Sequence, residues 1–317
     1  MQISNAGSIS EWSGISPPID EFRAMEYTSP MSVTSDPVIE TFGVATEENQ
    51  IDPLRAGQVV TLSAEGEVWI VGDLHDHRRN FDKLLKSADL QNNPQRHLIL
   101  QELIHGEHFD ATGAEESWQT LLRAAELKAD HARQVHFLLA NHDLSQIQGK
   151  GIMKGSISVC EAFNKGVKNA FGSSGAMVQV AITEFLLSFP LGIRLPNGIF
   201  CCHSLPQDDQ IPAFDYSVFN RPLTGPDYAR KTGSVYQLIW GRNTTPDGVK
   251  QFAEQMGALI FVTGHQPQDM GHGTNGDQHL IITSEHNQGV VLQLDLTKIY
   301  DMRGLVGRVK KFVAMDL

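Results

Sequence analysis

Short runs that are apolar at nearly every position recur along the chain, and each stops abruptly at polar residues. VWIV before Gly72, LIL before Gln101, VHFLLA before Asn141, IFCC before His203 and LIFV before Thr263 are of this kind. A strand wetted on one face alternates in polarity, so these runs predict strands covered on both faces. Between them the period becomes helical. NFDKLLKSADL follows the first run, and ESWQTLLRAAELKADHAR, with Glu115 and Glu116 in its first turn, leads into the third. ITEFLLSF reads as a helix end. Turn residues predict hairpins at Glu65-Gly66, at Pro196-Asn197-Gly198 and within HLIITSEHNQGVVLQLDL. Buried strands alternating with helices predict a mixed α/β sheet structure packed in layers.

The pattern also divides the chain. Residues 1 to about 50 are rich in Ser, Pro, Thr and Glu with little apolar period, which predicts an extension over 1–55 that wraps the domain or stays mobile. The main domain is expected over 56–300. A terminal segment over 301–317, RGLVGRVKKFVAMDL at its end, mixes basic with apolar residues and is expected to pack on the domain with a solvated basic face.

Composition narrows the chemistry. With 317 residues and 41% hydrophobic content the chain can bury a sizeable core. Lys and Arg number 25 against 37 for Asp and Glu, a net charge of -12, so no broad basic face is expected for nucleic acid. No apolar stretch of membrane-spanning length stands out, and the first residues lack a secretory pattern, which predicts a cytoplasmic protein with no membrane partner. Cys160, Cys201 and Cys202 read as reduced, buried side chains. There is no GxSxG elbow and no Walker spacing. An apolar strand edge or the terminal segment allows pairing into a homo-oligomer.

The polar residues that end the strands are the informative ones. Asp73 and His75, Glu102, Asn141 and His142, His203, and His265 follow five separate apolar runs. One histidine after a strand is ordinary; five such endings predict a shared site where layered sheets release their chains. Carboxylate, imidazole and amide together suit manganese, iron or zinc better than magnesium or calcium. Two such ions held about 3.5–4 Å apart activate water and clamp the oxygens of a phosphoryl displacement. Hydrolysis of a phosphate ester is the expected reaction.

The runs GDLHDH, LLANHD, FCCHS and TGHQP, in this order, resemble the GDxHG, GNH[ED], CCHGG and GHTP motifs of the calcineurin-like metallophosphoesterases, most closely the bacterial phosphoprotein phosphatase type. The resemblance covers roughly residues 66 to 295. It implies a four-layer αββα sandwich with mixed β-sheets and two divalent ions, most simply Mn2+, with Fe or Zn as alternatives. It implies Asp73 and His75 as ligands of the first ion, Asn141, His203 and His265 as ligands of the second, and Glu102 between them. It further implies His142 as the proton donor to the leaving group and, from the WxR-like LIWGR, Arg242 as a phosphate contact. The substrate would be a small phosphate ester or a phosphoprotein, attacked by a water or hydroxide activated by the two ions. Phosphodiesters, dinucleoside polyphosphates, or a regulatory role with weakened catalysis are the other readings.

The second motif departs from the pattern. Where the family has GDxxDRG, this chain has Gln101-Glu102-Leu103-Ile104-His105-Gly106, which lengthens the bridging carboxylate and removes the usual arginine. Arg78, with Arg79, is a candidate replacement cation. His105 and His286 are candidate substrate contacts, and the polar loop from Glu107 to Gly113 suits a substrate-facing segment.

Overall fold

The computed structural model describes residues 37–149, 152–154 and 157–316. Most of the expected extension, residues 1–36, lies outside them. The remainder of it is a helix, α1 (Pro37–Gln50), whose Phe42 and Ala45 are fully buried.

Two mixed sheets stack face to face. β1 (Arg55–Ala56) and β2 (Val59–Thr61) open the first sheet, and β3 (Glu67–Asp73) begins the second. The hairpin expected at Glu65-Gly66 does not form, because β2 pairs in parallel with β8 while β3 pairs with strands of the other sheet. After β3 come α2 (Arg78–Ala88), β4 (Arg96–Gln101), α3 (Trp118–Asp130) and β5 (Val135–Leu138), two successive parallel strand-helix-strand units. Glu115 and Glu116 precede α3 rather than forming its first turn.

α4 (Asn141–Gln148) leaves β5, and a two-residue ladder joins β6 (Met153–Lys154) to β7 (Ile157–Ser158). α5 (Val159–Phe171) and α6 (Gly175–Leu187) follow. Residues Val159–Leu187 are long and apolar enough by length and composition to cross a membrane, contrary to the expectation that no such stretch stands out. A 3-10 turn at Gly172–Ser174 interrupts them, and Phe163, Val167, Ile182 and Phe185 are buried in the core.

β8 (Gly192–Arg194) and β9 (Ile199–Cys201) form the expected hairpin around Asn197-Gly198. α7 (Ser234–Trp240), α8 (Pro246–Met256), β10 (Ile260–Thr263), β11 (His272–Thr274) and β12 (His279–Ile282) continue the first sheet. Its order is β1-β2-β8-β9-β10-β12-β11. The final expected hairpin is likewise absent: β13 (Val290–Asp295) crosses to the second sheet. With α9 (Met302–Val306) and β14 (Val309–Lys311), that sheet reads β14-β13-β3-β4-β5.

The unbroken apolar runs are explained by this stacking. In β3, Val68 and Ile70 face the opposite sheet while Trp69 and Val71 join the helix-side core; Ile99 and Leu98 divide in the same way in β4. Both faces are dry, so neither position of the two-residue period is free to be polar. The arrangement is the four-layer αββα sandwich with mixed sheets that the sequence motifs imply.

Candidate metal centre

The C-terminal ends of β3, β4 and β5 in one sheet, and of β9, β10 and β12 in the other, open on one edge. A parallel bridge between Asp73 and Thr283 ties the two sheets there. The loops that leave the strands are locked to each other, since the amides of Leu74 and His75 both donate to the carbonyl of Glu102, at 3.1 and 2.8 Å. This forces unusual backbone. His75, Asp76, Glu102, His105 and His265 all have positive φ, between 40 and 66°. Such conformations cost about 1–3 kcal/mol each in non-glycine residues and collect where function holds them. Gly264 is needed for space: a Cβ there would lie 2.2 Å from Asp73 Oδ1.

All six residues expected as ligands converge on this edge, and the hydrogen bonds behind them fix which atoms point inward. Gln101 donates its amide N–H to Val71 O, which turns its Oε1 to accept from His203 Nδ1 at 2.8 Å. His203 therefore presents an Nε2 lone pair, and it faces Asn141 Oδ1 at 2.7 Å and Glu102 Oε1 at 3.6 Å. His265 Nδ1 lies 2.9 Å from the same Asn141 oxygen, and its Nε2 is buried without a partner. On the other side, His75 Nδ1 donates to Ile104 O at 2.9 Å, so Nε2 is the nitrogen turned to Glu102 Oε2, 3.3 Å away. Asp73 accepts the backbone N–H of His265 at 2.9 Å and lies 3.8 Å from His203. Lone pairs turned on lone pairs in a dry pocket are unfavourable unless a cation stands among them. These residues fit divalent ions. His75, Glu102 and His142 form one close donor group and Asp73, Glu102 and His203 another, which brings His142 nearer the donors than its expected role requires.

Electrostatics agrees with the geometry. Burial and the neighbouring Glu102 charge push the Asp73 carboxyl well up. Burial also acts to raise Glu102, but His203, His75 and His142 together outweigh it and hold that carboxylate charged. Burial lowers His203 to about 4, and burial with His203 and Arg242 lowers His265 well below its usual range. Both shifts favour the neutral imidazole, the form that binds metal.

The remaining expected residues divide. His142, the second residue of α4, is buried beside the donors, and its Nδ1 lies 2.9 Å from His105 Nδ1. His105 is fully buried behind it and donates from Nε2 to Gln146 Oε1 at 3.0 Å, so burial corrects the expectation that it contacts substrate. Gln146 in turn donates to Asn164 at 2.7 Å. The guanidinium of Arg78 is occupied by Asp76 and Glu116, which ties it to the loop rather than leaving it for a phosphate. The ring nitrogens of His286 bond Gln268 O, in the loop after β10, and Gln288 N in its own loop. Arg242 is exposed and close enough to depress His203 and His265 by its charge.

Gly106, standing where the family has arginine, is dictated by packing, because a Cβ there would lie 2.4 Å from Asp76 Cβ and 2.6 Å from His75 O. Glu115 binds this corner by accepting from Gly106 N, Ser117 N and the Ser117 hydroxyl. The loop expected to face substrate is pinned too: Asp110 accepts from Thr112 and Ala114, and His108 pairs with Asp76 at 2.8 Å. Sequence reasoning missed Glu285, whose Oε2 lies 3.6 Å from His75 Nε2; the polar ending of LIITSEH was the available signal, and its histidine drew attention instead.

A layered sandwich whose strand ends gather carboxylate, imidazole and amide donors around cation-sized gaps defines a metal-dependent phosphoesterase, a hydrolase. The chain belongs to the calcineurin-like phosphoesterase family, whose model matches residues 66–294. Divalent metal ions are implied by that family and supported by the donor groups described above. No curated protein matches the sequence. Among solved structures, a protein serine/threonine phosphatase from Saccharomyces cerevisiae is similar at 14% identity and a TM-score of 0.65, covering 88% of this chain and 90% of that one. A cold-active protein-tyrosine phosphatase from a psychrophilic Shewanella is similar at 14% identity and a TM-score of 0.58, covering 84% of each chain. At these identities the likeness is one of fold.

Proposed function

We propose that the protein is a phosphatase that hydrolyses phosphate monoesters at a site for two divalent ions, manganese being the best match to the donors. The carrying observation is the split of the Glu102 carboxylate, one oxygen toward His75 and the other toward His203. The split supports a reading in which Glu102 lies between the two ions, His75 serving one and His203 the other, with Asp73 on the first and Asn141 and His265 on the second as the motifs imply. Bound ions at these positions supply the charge that activates water and steadies the phosphoryl oxygens. The chain's own residues do the rest. Gln101 and Ile104 hold the imidazoles with the ligating nitrogens inward. His142, beside the donors, gives a proton to the departing alkoxide. Arg242 supplies the exposed positive charge that meets the phosphate, a role that packing denies to residue 106.

The test is turnover of a panel of phosphomonoesters, phosphodiesters and dinucleoside polyphosphates with and without manganese, alongside metal content. The expected result is metal-dependent monoester hydrolysis, two ions per chain, and loss of both turnover and one ion in His203→Ala. Full activity in that variant, or no divalent ion bound at micromolar concentration, rejects the assignment.

A further inference from the structure

The Glu285 carboxylate faces the same imidazole nitrogen as Glu102, and from this we infer that Glu285 is an additional ligand of the ion held by Asp73, His75 and Glu102. The inference rests on the two-ion reading above. Because Nδ1 of His75 donates to Ile104 O, Nε2 is left to meet carboxylate oxygens on two sides, Glu102 Oε2 at 3.3 Å and Glu285 Oε2 at 3.6 Å. Three electron-rich atoms brought together in this way need a positive centre among them, either a metal ion or a proton on the imidazole. A metal fits the neighbourhood better. Two carboxylates, those of Glu102 and Glu285, bear on that one nitrogen. One shared imidazole proton would compensate only one of those two charges.

The loop that carries Glu285 is built to present it. Buried Asn80, in the first turn of α2, donates to the carbonyls on both sides of it, Ser284 O at 2.8 Å and His286 O at 3.0 Å. Ser284 N donates to Asp73 O at 3.0 Å, and Gly72 N donates to the Ser284 hydroxyl at 3.0 Å, which clamps the loop to the end of β3. His286 fastens the far side to Gln268 O. Residue 285 is thereby held at the pocket while its side chain stays 29% exposed, open to the side from which an ion arrives. A third carboxylate hardens the donor set of this ion toward manganese and away from zinc.

The experiment is manganese binding to the full chain, followed by calorimetric titration and by the electron paramagnetic resonance of the bound ion, for wild type and Glu285→Gln. Thermal unfolding of both in chelator controls for the fold, which a substitution at a partly exposed position should leave unchanged. The expected result is that Glu285→Gln weakens one of two manganese ions by at least about tenfold and leaves the other at wild-type affinity. Two ions bound as tightly as in wild type would overturn the inference alone. Fewer than two ions in wild type would overturn the two-ion site and this inference with it. A protonated imidazole paired with Glu285, and no metal contact, predicts the first of these overturning results.

Discussion

Strands β4 and β5 carry a buried cluster of ionisable side chains at each end, and the two clusters follow opposite rules. At the N-terminal ends, His136 Nδ1 lies 3.5 Å from Asp52, His136 Nε2 lies 3.1 Å from His97 Nδ1, and Lys128 gives its protons to Ala132 O and Val135 O while lying 4.0 Å from Asp52. Every charge there has an opposite charge or a donor facing it. At the C-terminal ends, His75, Glu102, Asn141 and His203 turn acceptors toward acceptors. Both clusters hold histidine and carboxylate in a dry interior, so residue type and burial do not distinguish them. What differs is complementarity. The first cluster is complete by itself and fastens the segment after α1 to the sheet; the second is completed only by a cation.

The largest expected effect comes from His142→Ala, which should leave both metal ions bound and lower kcat by about 10² to 10⁴ if the imidazole transfers a proton. Metal analysis beside steady-state kinetics checks it, and a lost ion would move His142 into the ligand set that its closeness to His75 and Glu102 allows. Asp52→Ala should do the reverse. It strands Lys128 and His136 in the interior and should cost about 3–5 kcal/mol in denaturant unfolding, with metal content and kcat unchanged. A change in metal binding there would dissolve the contrast between the two clusters.

Glu115 sharpens the comparison because it is a buried carboxyl with hydrogen bonds but no counter-ion among the described residues. Burial raises its pKa to about 7. The folded state therefore binds its proton more tightly than the unfolded state, whose pKa is near 4.5, and this contribution is present below 4.5 and lost as pH rises toward 7. Measured against Glu115→Gln, which does not titrate, wild type should lose up to about 3 kcal/mol across that window. A difference that stays flat with pH would contradict the raised value. The smallest effect is expected for Gly106→Arg. It restores the family residue, yet the contacts with Asp76 and His75 should make it cost about 1–3 kcal/mol in stability, with no gain in kcat/KM.

Several features were legible in the letters because they follow from local rules. Strands buried on both faces are apolar along most of their length, which exposed β3, β4, β5, β9 and β10. Donors must end such strands to meet at one edge, which exposed the six convergent residues. Two hairpins were misread for a related reason. Turn chemistry at Glu65-Gly66 and in SEHNQG marks a reversal, but it does not say which sheet the next strand joins. His105 was misread because a histidine beside a motif looks the same whether its nitrogens face a pocket or a buried amide.

The sequence by itself determined that carboxylate, imidazole and amide donors would follow the apolar strands, since the hydrophobic pattern fixes where each strand stops. Only the tertiary structure decided which atoms of those donors face one another. Orientation depends on partners far away in the chain, such as Val71 holding Gln101, Ile104 holding His75 and Asn80 holding the loop of Glu285, and on left-handed backbone at His75, Glu102 and His265 that no local preference would select.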